Sequence, residues 1–425
     1  MNTSQNKTDE SCPGKYGITA GRKRADHMQE FQLEEYLSRG VQKIVRGMIL
    51  AAAGNSEERS FLMRYTADEY KARKLRAAAE QRGEHIPPFL IASITRRCNP
   101  SCKGCYARAN EACADRTDAA GFADELTQNQ WGDIFTQAEE LGVSFVLLAG
   151  GEPMARRDVL EEAGRHKKIL FPVFTNGTML DSGKAEIFLH NRNLIPIFSI
   201  EGGRDETDRR RGEGVYDRLL KGMELLKGER RLFGASVTVT SENLREAVSG
   251  KFVRDLKNSG CRGIVFVEYV PADKKSRHLC LNEKERDTLA RTLEQLRRAD
   301  SQMLFLSFPG DEKESGGCLA AGRGFFHINA SGQAEPCPFS PYSDTSLLHT
   351  GLREALRSPL FLKLKEEGIL KEAHTGGCVL FEQEQSVKKC LEESDNDNER
   401  TDCGRSTDFI FHTGIPGHQC EKYSG

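Results

Sequence analysis

Six short apolar runs alternate with helical stretches between residues 89 and 299, and this alternation constrains the fold more than any other feature of the chain. Runs rich in Val, Ile, Phe and Leu, each followed by room for one helix, are typical of repeated βα units around a parallel sheet. The predicted strands lie near 89–95, 144–149, 170–175, 194–200, 233–240 and 263–269. The predicted helices lie near 127–141, 158–168, 181–192, 215–228, 244–259 and 282–299. In such folds the active site forms at the carboxyl ends of the strands.

The regions outside the βα units differ in character. Residues 1–25 are polar and predicted to be disordered, and residues 26–87 carry apolar residues at helical spacing, which predicts two or three amphipathic helices. Packing of these helices on the main domain is the preferred interpretation, and attachment to a membrane surface is the alternative. The main domain is expected over 88–300 and a smaller domain over 301–390, and the polar tail 391–425 is again predicted to be disordered. Within the main domain, Thr127 with Gln130 and Asn282 with Glu285 resemble capping boxes, and residues 107–126 form a polar insertion.

Charge and hydropathy exclude several classes of protein. The chain has 61 Lys and Arg against 63 Asp and Glu, a net charge of −2 that argues against a nucleic-acid binder. No apolar run approaches the roughly 20 residues of a membrane-spanning helix. The first residues lack the apolar segment of a secretion signal, so we expect a cytoplasmic protein.

Thirteen cysteines are an odd number and unsuited to a disulfide framework in a reducing compartment, which favours metal-binding or catalytic thiolates. Cys98, Cys102 and Cys105 lie within eight residues, and Cys318, Cys337 and Cys378 lie beside Gly-rich sequence in the last third of the chain. The remaining cysteines are interpreted as inert or merely exposed thiols: Cys12, Cys113, Cys261, Cys280, Cys390, Cys403 and Cys420.

Each predicted strand ends in residues suited to a shared site. The first leads into the cysteine loop and Tyr106, and the third into Asn176 within Thr-Asn-Gly, which is also a good turn former. The others lead into Gly150, Gly151, Glu152, Pro153, Ser199, Glu201, Asn243 and Tyr269. The basic run 209–211 is expected to be a solvated loop, or to meet an acidic substrate.

Three thiolates on a short loop suit an iron-sulfur cluster with one open iron, which can bind a small molecule. The alternative is a zinc-stabilised loop. Zinc normally takes a fourth donor, and the nearest further thiol is Cys113, beyond the polar insertion.

The segment Cys98-x3-Cys102-x2-Cys105-Tyr106 resembles the signature of radical S-adenosylmethionine (AdoMet) enzymes, and Gly150 to Pro153 resembles their Gly-Gly-Glu-Pro element. The resemblance implies an α/β fold, a partial (βα)6 TIM-like barrel with N-terminal helices and a small C-terminal α+β cluster-binding extension. It also implies that Cys98, Cys102 and Cys105 hold a 4Fe-4S cluster whose open iron chelates AdoMet. Gly150 to Pro153 would meet the AdoMet amino group, and Tyr106 and Asn176 are further candidate cofactor contacts. Ser199 and Glu201 occupy the family's ribose- or carboxylate-binding segment, with Glu in place of the commoner Asp.

The spacing Cys318-x13-Gly332-x4-Cys337 resembles the opening of the SPASM and twitch extensions, which bind auxiliary iron-sulfur clusters. A short hairpin is predicted around Ser331 and Gly332. The resemblance makes Cys378 the third ligand. The further cysteines of a full SPASM extension do not follow, so one auxiliary cluster is expected. Cys390 is a candidate fourth ligand, and a substrate-accessible iron is the competing interpretation.

The implied activity is reductive cleavage of AdoMet to a 5′-deoxyadenosyl radical, which removes a hydrogen atom from a substrate. The resemblance implies a flavodoxin or ferredoxin as electron donor, and a peptide or small-molecule substrate in cofactor or peptide maturation. The alternatives are a non-catalytic iron-sulfur or AdoMet-binding carrier or regulator, and a zinc-binding scaffold.

Overall fold

The computed structural model of the protein describes residues 32–115, 124–271, 274–310, 315–371 and 378–405. The predicted disordered N-terminus 1–25, residues 116–123 of the insertion and the end of the polar tail lie outside these ranges. From Leu33 onward the described residues form one compact unit.

Eleven strands occur in the described part of the chain. Their bounds are β1 Phe89–Ser93, β2 Arg97–Cys98, β3 Ala114–Asp115, β4 Phe145–Ala149, β5 Phe171–Thr175, β6 Leu194–Ser199, β7 Gly234–Val239, β8 Gly263–Glu268, β9 Leu304–Phe308, β10 His327–Ile328 and β11 Ala334–Glu335. All six predicted strands are present.

Fifteen α-helices occur in the same residues. Their bounds are α1 Leu33–Ala51, α2 Ser56–Glu80, α3 Tyr106–Ala109, α4 Gln128–Leu141, α5 Arg157–Arg165, α6 Ser182–His190, α7 Arg204–Arg211, α8 Val215–Gly228, α9 Leu244–Ala247, α10 Gly250–Asn258, α11 Glu283–Ala299, α12 Leu352–Ala355, α13 Pro359–Glu366, α14 Val379–Glu382 and α15 Glu384–Arg405. Both predicted capping boxes are confirmed, at the starts of α4 and α11. Among the described helices, none has the length and apolarity that crossing a membrane requires.

The main sheet has nine strands in the order β11-β10-β1-β4-β5-β6-β7-β8-β9. Every neighbouring pair is parallel except the β10–β11 hairpin, and the described strands do not close into a ring. The predicted partial barrel is therefore confirmed. Because the strands from β1 to β8 are parallel, their carboxyl ends meet at one edge of the sheet.

Two predictions about boundaries are wrong. The main domain was expected to end at 300, but β9 lies beyond that residue and continues the barrel sheet beside β8. This strand was missed because a short apolar run alone does not distinguish a strand from a buried helix. Helix α15 runs to Arg405, so the first part of the tail predicted to be disordered from 391 is helical. The predicted hairpin around Ser331 and Gly332 is confirmed as β10 and β11, which pair with β1 and so join the extension to the barrel.

Side chains alternate between the two faces of the parallel strands. One face packs against the helices that follow the strands, in a core that includes Trp131, Phe135, Phe171, Phe198 and Phe266. Burial on both faces explains why these strands appear in the sequence as nearly continuous apolar runs.

The concave face of the sheet is covered at its amino end by α1 and α2. Val45 and Leu62 pack against Phe145, Ile195 and Ile197 in a second core. This packing holds the amphipathic N-terminal helices on the sheet.

A buried carboxylate fixes α2 to the sheet. Glu58 forms ion pairs with Arg231 and Arg192, which precede β7 and β6, and the side chains of Glu58 and Arg231 are each 2% exposed. Glu58 therefore neutralises the buried guanidinium of Arg231 in the interface between α2 and the strands.

Replacing Glu58 with Gln is expected to lower the free energy of unfolding by about 3 kcal/mol, because the buried guanidinium of Arg231 loses its counter-charge. The matched variant Glu57→Gln, at a side chain 74% exposed that also contacts Arg192, should cost less than about 1 kcal/mol. Urea-induced unfolding measures both values. Equal losses would contradict this account.

Candidate functional site

The cysteine loop begins directly after β1. Cys98 lies on β2, Cys105 precedes the first residue of α3, and all three thiols of the group are half-buried. The loop is closed by the pairing of β2 with β3, in which Cys98 lies beside Asp115.

A fourth thiol joins this group. Cys113, interpreted from the sequence as inert, is buried and lies beside Cys98, and the neighbouring thiol together with burial raises the pKa of Cys98. The sequence signal for Cys113 was its closeness to Cys105 along the chain, but the intervening residues give no indication of how the loop turns.

Gly150 and Gly151 let the end of β4 approach the segment that leads into Cys98. The amides of Gly151 and Glu152 donate to the carbonyls of Thr95 and Arg97, each at 2.7 Å. A Cβ atom at Gly150 would lie 2.4 Å from the carbonyl oxygen of Thr95, and one at Gly151 would lie 2.1 Å from that of Arg97. Neither position can carry a side chain without displacing the cysteine loop.

Glu152 joins β4 to β5 through its carboxylate. It is buried and accepts hydrogen bonds from the Thr175 hydroxyl and the Asn176 amide, each at 2.7 Å, and from the Met154 amide at 3.0 Å. Burial raises the pKa of Glu152, and these hydrogen bonds oppose part of that rise. The carboxylate is thus engaged within the protein, and Pro153 begins a 3-10 turn over Pro153–Ala155. The carbonyls of Gly150 and Gly151 accept no hydrogen bond from the described part of the chain.

Asn176 connects β5 to the cysteine loop. Its side-chain amide donates to Asn99, the residue after Cys98, at 2.9 Å, and its oxygen accepts from the Thr178 amide at 2.9 Å. Asn176 is therefore placed beside the cysteines, although its described contacts are with protein groups.

Glu201 anchors the end of the basic run. Its carboxylate pairs with Arg210 and with Arg211, whose Nε lies 2.8 Å away. Burial would raise the pKa of Glu201, but the two arginines hold it below the usual range. The basic run is thus not a solvated loop: it forms the last turn of α7, a helix that the sequence did not predict.

The same arginines face the cysteine loop. The amide of Lys103 donates to the carbonyl of Arg210 at 2.8 Å. Burial raises the pKa of the Cys102 thiol, and the charges of Arg211 and Arg210 oppose that rise. Ser199 ends β6 on the concave face, half-buried. The end of α7 thus places two guanidinium groups near the cysteines.

The three cysteines of the extension come together. The Cys337 thiol lies beside Cys378 and near Cys318, and burial together with these two thiols raises the pKa of Cys337. Cys390 lies elsewhere, beside Glu367 after α13. The candidate role of Cys390 as a fourth ligand is therefore not supported.

The two cysteine groups are joined by aromatic packing. The Tyr106 ring meets Phe339 edge to face, with centroids 4.7 Å apart, and Asn110 donates to the carbonyl of Pro338 at 3.3 Å. Burial raises the pKa of Tyr106, and the neighbouring thiols Cys105 and Cys337 add to the effect. Tyr106 thus lies between the cysteine groups.

A buried polar network also joins the extension to β1, and no sequence pattern indicated it. His327 is hydrogen-bonded to Glu335 and to Ser93, each at 2.7 Å, and Asn329 donates to Glu335 at 2.7 Å. Since Glu335 stands two residues before Cys337, this network helps to fix the second cysteine group against the barrel.

The donor set fits a sulfur-bound cluster with an amino-acid ligand beside it. The loop offers three half-buried thiols, the neighbouring turn offers two free carbonyls that suit an ammonium group, and α7 offers guanidinium groups that suit a carboxylate. Among the described residues, no three His, Cys, Asp or Glu side chains are arranged to hold a single metal ion.

The chain is similar to proteins of known activity. Residues 92–248 match the family model of the Radical SAM superfamily. The chain is 29% identical over 192 residues to Fe-coproporphyrin III synthase of Methanosarcina barkeri, covering 44% of this chain and 45% of that protein. It is 26% identical over 332 residues to the AdoMet-dependent heme synthase of the same organism, covering 71% of this chain and 91% of that protein.

Solved structures share the fold. SuiB from Streptococcus suis, bound to the precursor peptide SuiA, superposes with a TM-score of 0.54 at 17% sequence identity, covering 73% of this chain and 74% of that chain. The same protein bound to S-adenosylmethionine gives a TM-score of 0.53, covering 67% of this chain and 69% of that chain.

Replacing Gly151 with Ala should displace the cysteine loop, because its Cβ would lie 2.1 Å from the Arg97 carbonyl oxygen. We expect the variant to lose most of the iron bound after anaerobic reconstitution, measured in a background with Cys318, Cys337 and Cys378 changed to Ala. Gly40→Ala, where a Cβ meets nothing within 4 Å, is the control. Full iron content in the Gly151 variant would contradict the predicted displacement.

Glu201→Gln should lower the free energy of unfolding at pH 7 by about 3 to 5 kcal/mol, because two partly buried arginines lose their carboxylate. Since the folded pKa of Glu201 lies below its ordinary value of 4.5, the ion pairs stabilise the protein above that pH, and their contribution is lost as the pH falls through the lowered value. The difference from the parent protein should therefore shrink on acidification in urea unfolding. Asp205→Asn, at an exposed position of α7, is the control. A difference that does not change with pH would count against the assignment.

Proposed function

We propose that this radical SAM enzyme cleaves AdoMet reductively at the Cys98, Cys102 and Cys105 loop and uses the resulting radical to remove a hydrogen atom from a tetrapyrrole-type substrate. The observation that carries the proposal is the meeting, at one edge of the sheet, of the thiol loop, two glycine carbonyls and two arginines. The thiols suit the iron of the cluster, the carbonyls suit the ammonium group of AdoMet, and the arginines suit its carboxylate.

The residues divide the binding task among them. Cys98, Cys102 and Cys105 hold the cluster, and the free carbonyls of Gly150 and Gly151 accept hydrogen bonds from the ammonium group of AdoMet. An arginine has five donors in a rigid fork, so Arg210 and Arg211 can keep Glu201 and still bind a carboxylate. When bound, the cluster supplies the electron that splits AdoMet and yields the 5′-deoxyadenosyl radical.

Glu152 acts by positioning. Its three hydrogen bonds hold the turns after β4 and β5 together, and the Asn176 bond to Asn99 extends this frame to the cysteines. A rigid frame keeps the binding groups in fixed geometry, which a radical reaction needs if side reactions are to be excluded.

Cys318, Cys337 and Cys378 hold one auxiliary cluster. Their loop touches the first loop through Tyr106 and Phe339, which supports electron transfer between the two sites as its role. The reducing electron comes to the first site from a flavodoxin- or ferredoxin-type donor.

A tetrapyrrole is favoured as the substrate class because the similarity to the heme synthase spans 71% of this chain. A peptide is the second candidate, supported by the fold shared with the peptide-binding SuiB.

The test is the formation of 5′-deoxyadenosine by anaerobically reconstituted protein, reduced chemically and supplied with AdoMet, alone and with Fe-coproporphyrin III. We expect slow cleavage alone and faster cleavage with the tetrapyrrole. Stimulation only by peptides would favour the second candidate. An intact cluster with no cleavage under any condition would favour the non-catalytic carrier, and zinc without sulfide would favour the scaffold.

Changing Cys98, Cys102 and Cys105 to Ala should abolish 5′-deoxyadenosine formation, because AdoMet loses its electron source. Changing Cys318, Cys337 and Cys378 to Ala should preserve cleavage but stop product formation, measured as conversion of the tetrapyrrole. Cys390→Ala, a buried thiol away from both groups, is the matched control and should change neither. Normal product yield from the second triple variant would refute the auxiliary role.

A further inference from the structure

One buried hydroxyl near the cysteine loop has no hydrogen-bond partner in the part of the chain that the structure describes. Tyr269, directly after β8, is 2% exposed, and its phenolic oxygen has no hydrogen-bond partner among the described residues. A phenol that is removed from water without a partner costs free energy, so buried tyrosines usually donate a hydrogen bond.

The hydroxyl lies directly against the middle of the cysteine loop. A Cβ atom on Gly104 would be 2.6 Å from the Tyr269 oxygen and 3.2 Å from its ring carbons Cε2 and Cζ. Gly104 stands between Cys102 and Cys105 and has a φ of +65°, so glycine is favoured there for its conformation as well as for space. The absence of a side chain at Gly104 thus leaves space beside the loop, and the Tyr269 phenol occupies that space.

We propose that the Tyr269 hydroxyl donates a hydrogen bond to the cofactor assembled on this loop. The inference rests on the proposed function, because it takes the loop to be the place where the cluster and AdoMet bind. The acceptor is either a sulfur of the cluster or a nitrogen or oxygen of AdoMet, and both are acceptors for a phenolic O–H.

The two possible acceptors, a cluster sulfur and an AdoMet atom, predict different effects of the hydrogen bond. A hydrogen bond to a cluster sulfur stabilises the reduced cluster, whose sulfurs carry more negative charge, and so raises its reduction potential. A hydrogen bond to AdoMet strengthens AdoMet binding and leaves the potential of the AdoMet-free cluster unchanged. A ring that only fills space would do neither.

The test compares Tyr269→Phe with the parent enzyme in the full chain, reconstituted anaerobically. The variant keeps the ring and removes only the hydroxyl. Redox titration followed by electron paramagnetic resonance gives the potential of the AdoMet-responsive cluster without AdoMet, and equilibrium binding gives the AdoMet dissociation constant. Neither readout requires turnover.

A more negative potential in the variant would identify a cluster sulfur as the acceptor. An unchanged potential with AdoMet binding weakened about fivefold, the loss of one neutral hydrogen bond, would identify AdoMet. If the variant matched the parent enzyme in both readouts, the proposal would be overturned. Failure of the parent protein to bind an iron-sulfur cluster or AdoMet would instead refute the proposed function.

Tyr65→Phe is the matched control. Tyr65 is also buried, but its hydroxyl donates to the Ser144 carbonyl at 2.6 Å, away from the cysteines. This variant should lower the melting temperature and leave the potential and AdoMet affinity unchanged. Tyr269→Phe should leave the melting temperature of the cluster-free protein unchanged or raised, because no protein hydrogen bond is lost.

Gly104→Ala gives an independent test, because its Cβ would push the hydroxyl aside. If a retained cluster shows the same change as in Tyr269→Phe, and the double variant shows no further change, the two positions act through one hydrogen bond. Additive changes would contradict a single hydrogen bond shared by the two positions.

Discussion

The site depends on the close approach of two backbone segments, the turn after β4 and the strand exit that leads to Cys98. Two short hydrogen bonds from Gly151 and Glu152 to the carbonyls of Thr95 and Arg97 join them, and the absence of side chains at Gly150 and Gly151 makes the approach possible. Because the thiol loop starts where this contact ends, its position is set by backbone geometry rather than by the cysteines. The carbonyls that remain free on the same turn are then held beside the thiols.

Buried charges also help to position the site. Glu201 is buried, and this would be unfavourable for an isolated carboxylate, but Arg210 and Arg211 compensate its charge and are in turn held at the cysteine loop. The unusual Glu at this position has a physical role here: it orients the end of α7. Glu152, by contrast, is satisfied by neutral donors and connects two strand ends. Two acidic residues with similar sequence settings therefore act differently, one as an ion-pair anchor and the other as a hydrogen-bond anchor.

The extension is part of the barrel structure rather than an appendage. Its hairpin adds two strands to the sheet beside β1, the network of Ser93, His327 and Glu335 fixes that junction, and the Tyr106–Phe339 contact joins the two thiol groups. At the opposite edge β9 extends the same sheet, and α1 and α2 cover the amino end of its concave face. The helices thus cover one end of the concave face, and the thiols, glycines and arginines meet at the carboxyl edge of the sheet.

The sequence by itself determined the six βα units, both capping boxes, the extension hairpin and the two groups of three cysteines, because apolar periodicity, turn residues and thiol spacing are local properties. It did not reveal β9, α7, the approach of Cys113 to Cys98 or the orphan hydroxyl of Tyr269, and it offered Cys390 as a fourth ligand where the structure places it beside Glu367. Each of these depends on which distant segments come within a few ångströms of one another. Only the tertiary structure decided that Glu201 would hold the arginines at the cysteines and that Glu152 would be engaged by protein donors, because buried charges and hydrogen bonds are defined by their partners rather than by their neighbours in the chain.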